Sequence, residues 1–318
     1  MSPMPELHVV LHPRRPPGVE AFLRGLPQIV LHCPADEEGV IHALDNGAQV
    51  LVTYIWRDAF LTPSLKWIAG TGAGTEQYPL EVLGARQVVL TTAAGVHADC
   101  VAEHAFSLML ALTRRLGEAV RNMTQHRWTE LVGEELAGKK LGIVGLGRIG
   151  EGVARRAQNW GLSIIGVKRH PDQYQGCLTD VRGTEQMAAV CEWADILLLA
   201  TPATPDRRPL VGERELDLLG AGWLVNVGRG SLIDEDALIH ALRSGGLRGA
   251  GLDVTAIEPL PTGSPLWDHP QVVISAHNAG DSPGYGVRWG AIFMRNLSAF
   301  AGTGNWVNQM SGQGGGTP

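Results

Sequence analysis

Short apolar runs alternate with helix-period stretches along this chain. His8–His12, Gln28–Cys33, Gln49–Ile55, Leu65–Ala69 and Gln87–Thr92 have the length and the β-branched or aromatic content of buried strands. Amphipathic stretches at Gly18–Leu26 and Asp36–Leu44 separate the first three. A longer helical pattern runs from Ala98 to Arg121. Strand-like runs then resume at Leu141 and continue through Ser163–Val167, Asp195–Ala200, Trp223–Val227, Gly249–Val254 and Val272–Ser275, and a last helical segment spans Gly284–Phe300. Buried runs joined by helices pair in parallel, so the pattern predicts an α/β chain of parallel sheets covered by helices. No short-period repeat is visible, and the Gly-rich Ser311–Pro318 is expected to be a disordered tail.

Composition narrows the class. At 318 residues the chain exceeds what one core usually serves, and 44% hydrophobic content is enough for two. A formal net charge of −6 with no long basic run argues against nucleic acid or an anionic membrane as partner. The four cysteines, Cys33, Cys100, Cys177 and Cys191, show no C-x-x-C spacing and read as reduced thiols of a cytoplasmic protein. No signal peptide is apparent, and the apolar run Ala105–Thr113 is too short to span a bilayer.

The most specific chemistry lies at Leu141–Gly150. An apolar strand is followed by Gly145, Gly147 and Gly150, and then by a helical stretch through Trp160. In that setting G-x-G-x-x-G is a dinucleotide signature. Gly145 allows the tight turn, Gly147 lets the backbone approach a pyrophosphate, Gly150 permits close packing, and Arg148 and Ile149 open the helix whose N-terminus faces the phosphates. An NAD site would place Asp or Glu at the end of the next strand, to hold the ribose 2′-hydroxyl. Here Lys168-Arg169-His170 follow instead. Two fixed cations without a carboxylate favour a 2′-phosphate, and so NADP(H) over NAD(H). A solvated basic turn is the competing reading.

Three further blocks, Asn226–Leu238, Gly251–Pro261 and Ser275–Gly280, follow in order. With the glycine turn, with Lys66–Gly74 and with Val101–Ala105, they resemble the D-isomer-specific 2-hydroxyacid dehydrogenase family, in its glyoxylate/hydroxypyruvate reductase-like branch, over nearly the whole chain. The resemblance implies two Rossmann-like, doubly wound parallel-sheet domains with the active site in the cleft between them. Residues 1–98 with 286–318 would form a flavodoxin-like substrate domain and 99–285 the dinucleotide-binding domain. It also implies a homodimer built around Ala98–Arg121, whose apolar stretch Phe106–Leu112 looks too rich to be exposed on a monomer.

Reduction of a 2-keto acid needs a cation for the carboxylate, polarisation of the keto oxygen, a proton donor and a hydride source. Arg229 has the fork-shaped charge for the first two tasks. A His titrates near neutrality and can deliver the proton, and a carboxylate bonded to it fixes its tautomer. By resemblance these are His277 and Glu258. The resemblance also assigns the backbone of Ala73 and Gly74 to the substrate carboxylate, Val227, Gly228, Asp253 and Gly280 to the nicotinamide, and Thr201 and Pro202 to the adenosine side. Asp253 reads equally as a strand-end structural carboxylate, and Trp56, after the third strand, as a core aromatic ahead of a substrate-facing one.

Three departures surround the reacting centre: Ser275-Ala276 replace the family's usual Thr-Pro, Asn278 replaces an aliphatic residue, and Glu76 replaces an Asp. They bear on which 2-keto acid is used. Two other classes compete. Formate dehydrogenases pair the histidine with Gln, which Glu258 disfavours, whereas phosphite dehydrogenases share the Arg/Glu/His set. Corepressor-like dinucleotide sensors retain it as well.

Overall fold

The computed structural model describes residues 6–204 and 208–310. The segment Ser311–Pro318, expected to be disordered, lies outside the described residues. The chain folds as two compact units, Met1–Val96 with Asp281–Pro318, and His97–Gly280. Both are mixed α/β.

The first unit runs β1 (Leu7–Leu11), α1 (Val19–Arg24), β2 (Ile29–His32), α2 (Glu37–Asp45), β3 (Val50–Thr53), β4 (Trp67–Gly70), α3 (Leu80–Ala85) and β5 (Val89–Thr91). Asp36 caps α2, its carboxylate accepting from the Gly39 N–H at 2.8 Å.

The second unit holds α4 (Ala98–Thr113), α5 (Leu116–Thr124), β6 (Lys140–Val144), α6 (Arg148–Asn159), β7 (Ser163–Val167), β8 (Val181–Arg182), α7 (Met187–Trp193), β9 (Ile196–Leu199), α8 (Glu213–Leu219), β10 (Trp223–Asn226), α9 (Glu235–Ser244), β11 (Gly249–Leu252) and β12 (Val272–Ile274). The chain then returns to the first unit as α10 (Tyr285–Phe300) and β13 (Gln309–Met310).

Among the described residues the first sheet has the order β13-β5-β4-β3-β1-β2, parallel except for β13. The second is wholly parallel, in the order β12-β11-β10-β9-β6-β7-β8. Both fit doubly wound sheets, and they bury strands on two faces. Every residue of β9, Ile-Leu-Leu-Leu, is inaccessible, which explains its continuous apolar run without alternation. Trp67 is equally buried, stacked 4.9 Å from Phe293 and 5.7 Å from Phe300, with its indole N–H donating to Thr91 Oγ1 at 2.9 Å. A side chain of that size contributes on the order of 3 kcal/mol by leaving water.

One expected element is corrected. The helical pattern Ala98–Arg121 is two helices, broken at Arg114-Arg115, where Arg115 takes φ 53° and so ends the α-helical path. The apolar residues of α4, among them Phe106, Leu108, Met109 and Leu112, are buried within their own unit's core. Their apolarity therefore needs no second subunit.

Candidate active site

The second sheet aligns the ends of its strands. Val167, Val144, Leu199, Asn226, Leu252 and Ile274 are register partners in sequence across β7, β6, β9, β10, β11 and β12. Each sequence block therefore leaves the same carboxyl edge, where doubly wound sheets bind ligands. The order reverses at β6, whose neighbours are β7 and β9. The glycine turn is at that reversal.

Two of its glycines are required by the protein's own packing. Gly145 has φ 101°, and a Cβ there would lie 2.8 Å from the Ala200 carbonyl oxygen and from Thr201 Cβ. A Cβ at Gly150 would overlap the Gly145 carbonyl. Gly147 differs, because a Cβ there would meet nothing within 4 Å. It is also the N-cap of the twelve-residue α6 and provides no side-chain cap. Open space therefore faces uncapped N–H groups at the positive end of a helix, which fits a pyrophosphate.

The half-buried Lys168 extends its ammonium to the Leu146 carbonyl at 3.3 Å, over the same turn. Arg169 and His170 are exposed. The segment after them is tied to α6 through Glu151, whose carboxylate accepts from Tyr174 Oη at 2.5 Å and from the Cys177 N–H at 2.8 Å. Burial opposes ionisation of Glu151, but these donors hold it below the usual carboxylate range. After β9, Thr201 is half-buried and Pro202 exposed.

On the far side of the reversal, Asn226 is fully buried and stitches the loop after β10. Its Oδ1 accepts from the Gly228 N–H at 3.0 Å, and its Nδ2 donates to the Arg229 carbonyl at 2.9 Å. Val227 and Gly228 are buried, whereas Arg229 is exposed, with Nη1 donating to the Gly228 carbonyl at 2.7 Å.

His277 Nδ1 lies 2.7 Å from Glu258 Oε2, and Glu258 Oε1 accepts from the Thr255 N–H at 3.1 Å. Each carboxylate oxygen thus has its own donor, and Nδ1 carries the proton. Both side chains are well exposed, at 49% and 38%, so the pair adds little stability and serves to orient the ring. Nε2 has no partner among the described residues.

Asp253 organises the loop that carries His277. Its Oδ1 accepts from Ser275 Oγ at 2.7 Å, the Asn278 N–H at 3.1 Å and the Ala279 N–H at 3.2 Å, and its carbonyl accepts from the His277 N–H at 2.8 Å. Gly280 closes the loop, its carbonyl accepting from His97 Nδ1 at 3.0 Å. His104 Nε2 meets Ser275 Oγ at 2.7 Å; Asn226, Ser275 and His104 all lie in blocks that the sequence singles out, but the bonds they make were not legible there. The signals in sequence were the Ser275 departure and a polar asparagine ending an apolar strand.

In the first unit, Ala73 is exposed and Gly74 half-buried after β4. Trp56 belongs to the core, edge-on to Phe60 at 6.2 Å, with its N–H on Asp58 at 3.1 Å. A cavity of about 350 Å³ in the second unit opens at the opposite, amino edge of the sheet, beside Trp223 and Gln271. Its Arg115 and Arg248 are paired with Glu118 and Glu134. Among the described residues no disulfide joins the cysteines and no group of three or more His, Cys, Asp or Glu is placed to hold a metal. Burial pushes the Cys191 thiol up to about 11. No helix among them is long and apolar enough to cross a membrane.

Comparison with known proteins agrees with this fold. Residues 106–279 match the family model of the D-isomer specific 2-hydroxyacid dehydrogenase NAD binding domain. A glyoxylate reductase from Thermofilum pendens is 31% identical over 302 residues, 92% of this chain and 84% of that one. A D-3-phosphoglycerate dehydrogenase from Bacillus subtilis is 33% identical over 260 residues, 79% of this chain but 48% of its own length. The chain thus spans about half of such longer relatives. The crystal structure of an NADPH-dependent glyoxylate/hydroxypyruvate reductase from Sinorhizobium meliloti superposes with a TM-score of 0.81 at 29% identity, covering 96% of this chain and 98% of that one. The chain belongs to the D-isomer specific 2-hydroxyacid dehydrogenase family.

Proposed function

We propose that this chain is an oxidoreductase that reduces 2-keto acids to D-2-hydroxy acids, preferring NADP(H) over NAD(H). The carrying observation is the His277–Glu258 pair, 2.7 Å apart at the carboxyl edge of the sheet whose β6–α6 turn leaves a helix N-terminus uncapped. A reduced nicotinamide dinucleotide supplies the hydride to the keto carbon. Arg229 holds the substrate carboxylate and polarises the keto oxygen, aided by the N–H groups of Ala73 and Gly74. Glu258 fixes the proton of His277 on Nδ1, so the imidazolium delivers its other proton, from Nε2, to the forming alkoxide and becomes neutral. Arg148 and Ile149 with the three glycines hold the pyrophosphate, Val227, Gly228, Asp253 and Gly280 the nicotinamide side, and Thr201 and Pro202 the adenosine side.

Lys168 and Arg169, with His170, carry the NADP(H) preference by pairing with a 2′-phosphate. The NADPH dependence of the Sinorhizobium relative supports this assignment. A homodimer is also proposed, on different grounds from α4. In α5, Leu116, Val120 and Met123 form an exposed stripe, and Trp128 (99% exposed) and Val132 follow it. Light scattering that gives a monomer mass at micromolar concentration would overturn the dimer.

The decisive test of function is loss of NADPH or NADH absorbance with glyoxylate, hydroxypyruvate, pyruvate and longer keto acids, against phosphite and formate with the oxidised cofactors. Turnover of a keto acid is expected. Activity only with phosphite or formate, or with none of them, overturns the proposal.

A further inference from the structure

We propose that His104, on α4, is a positioning residue for His277, acting through Ser275 and Asp253; this rests on the assignment of His277 as proton donor. Ser275 Oγ has one proton, and the Asp253 carboxylate, buried to 3% exposure, takes it at 2.7 Å. Ser275 therefore accepts from His104, whose Nε2 lies 2.7 Å away and must carry a proton. The same Nε2 is 3.6 Å from Asp253 Oδ1.

Through this one carboxylate and its own carbonyl, Asp253 bonds residues 275, 277, 278 and 279. His277 itself sits at φ 51°, a conformation that costs a non-glycine residue energy and persists only where the surroundings hold it. The other ties to α4 lie at the loop's far end, where His97 Nδ1 and Cys100 Sγ donate to the Gly280 carbonyl at 3.0 and 3.3 Å. Ala276 stands where the sequences it resembles have proline, and is exposed, so no ring fixes φ in the residue before His277. His104 supplies the fixed point at the near end, through Ser275, two residues before His277. Its helix is seated in the core by Val101, Ala102, Ala105 and Leu108. The loop is thus clamped between Asp253 and α4, and the imidazole that must meet the substrate is aimed by a residue 173 positions earlier in sequence.

His104→Phe keeps a ring and removes the donor. It is expected to lower kcat about tenfold, less than the ~10²-fold that a misplacement of 1 Å can cost, with KM for NADPH within about twofold. The assay uses glyoxylate or hydroxypyruvate, whichever turns over faster. His104→Gln, which can still donate to Ser275, should recover most of the loss. In a His277→Ala background, His104→Phe should lower the residual kcat by less than about twofold, because its effect passes through the missing ring.

Unchanged kcat in His104→Phe, or the same fold-loss with and without His277, overturns the proposal. If His104→Phe does not fold, Ser275→Ala and Ser275→Thr decide: the alanine variant should lose about tenfold and the threonine variant stay near the parent, and equal kcat overturns it. Retention of full kcat by His277→Ala would remove the proton-donor assignment and this one with it. Loss in His277→Ala beside a neutral His104→Phe removes only the clamp.

Discussion

The two parallel sheets share a winding and differ in what leaves their central strands. β1 lies between β2 and β3 as β6 lies between β7 and β9, so each sheet reverses at that strand and has a carboxyl edge suited to a ligand. After β6, Gly145–Gly150 pass directly into the twelve-residue α6. After β1, the chain reads His12-Pro13-Arg14-Arg15-Pro16-Pro17-Gly18 before the six-residue α1. Its three prolines have no N–H to offer, and α1 is too short for a strong end charge. One winding thus leaves uncapped N–H groups at the turn after β6 and withholds most of them at the turn after β1. The fold supplies the edge, and a few turn residues supply the chemistry.

The largest effect that would break this comparison is at the reacting centre. His277→Ala should lower kcat by at least the ~10²-fold typical of a lost general acid, with KM for the cofactor little changed. Steady-state kinetics with both substrates varied checks this. A variant with near-parent kcat would place the chemistry elsewhere on the edge.

A second pair of substitutions separates binding from stability. Gly150→Ala puts a methyl onto the Gly145 carbonyl, an overpacking that costs ~1–3 kcal/mol and deforms the turn. Leu23→Ala, in the fully buried face of α1, leaves a cavity costing ~2–5 kcal/mol. Denaturant titration should find both less stable, while fluorescence titration with NADPH should find affinity lost only in Gly150→Ala. Equal affinity in the two variants would mean that the turn is structural, like its counterpart after β1.

Much of this was legible because it is local. The glycine turn, the longer strands and the blocks that contain Arg229, Glu258 and His277 each announce themselves within about a dozen residues, whereas the two-residue β8 and β13 do not. The break at Arg114-Arg115 was not, since apolar residues keep helical spacing across it and a positive φ at an arginine leaves no mark in sequence. The dimer argument from Phe106–Leu112 failed for a related reason: apolarity says that a face is covered, not by what. The network around Asp253 joins residues far apart in the chain, and only the fold brings His104 to Ser275. Trp56 read as a core aromatic, and burial agrees.

Cofactor preference sharpens the comparison at a smaller scale. Charge-assisted contacts contribute ~1.5–3 kcal/mol each where shielded, but Arg169 is exposed, so solvent screening reduces this and about tenfold in kcat/KM is expected. Arg169→Ala should raise KM for NADPH with little effect on NADH. Lys168→Asp should move preference towards NADH by adding repulsion and a ribose acceptor. Rising salt should shrink the parent's preference. Equal use of both cofactors by the parent would reduce the basic turn to a solvated surface.

The smallest effect expected belongs to the first unit. His12, at the carboxyl end of β1, is buried to 1% exposure, with Nδ1 accepting from the Arg14 N–H at 3.1 Å. Burial holds its pKa below the ordinary 6.5, against the nearby Glu37, and burial with the neighbouring His8 does the same to His32. A lowered folded-state value means that the unfolded chain binds the proton more readily. The neutral rings therefore cost nothing above pH 6.5, and stability is lost as pH falls from there through the folded values. Melting followed between pH 7.5 and 5.5 should show this decline, and His12→Gln, which cannot take up a proton, should make it shallower. An identical pH dependence in the variant would show that His12 is not part of it. The turn after β1 would then differ from the glycine turn in its missing N–H groups and its short helix, without a titrating ring as a third difference.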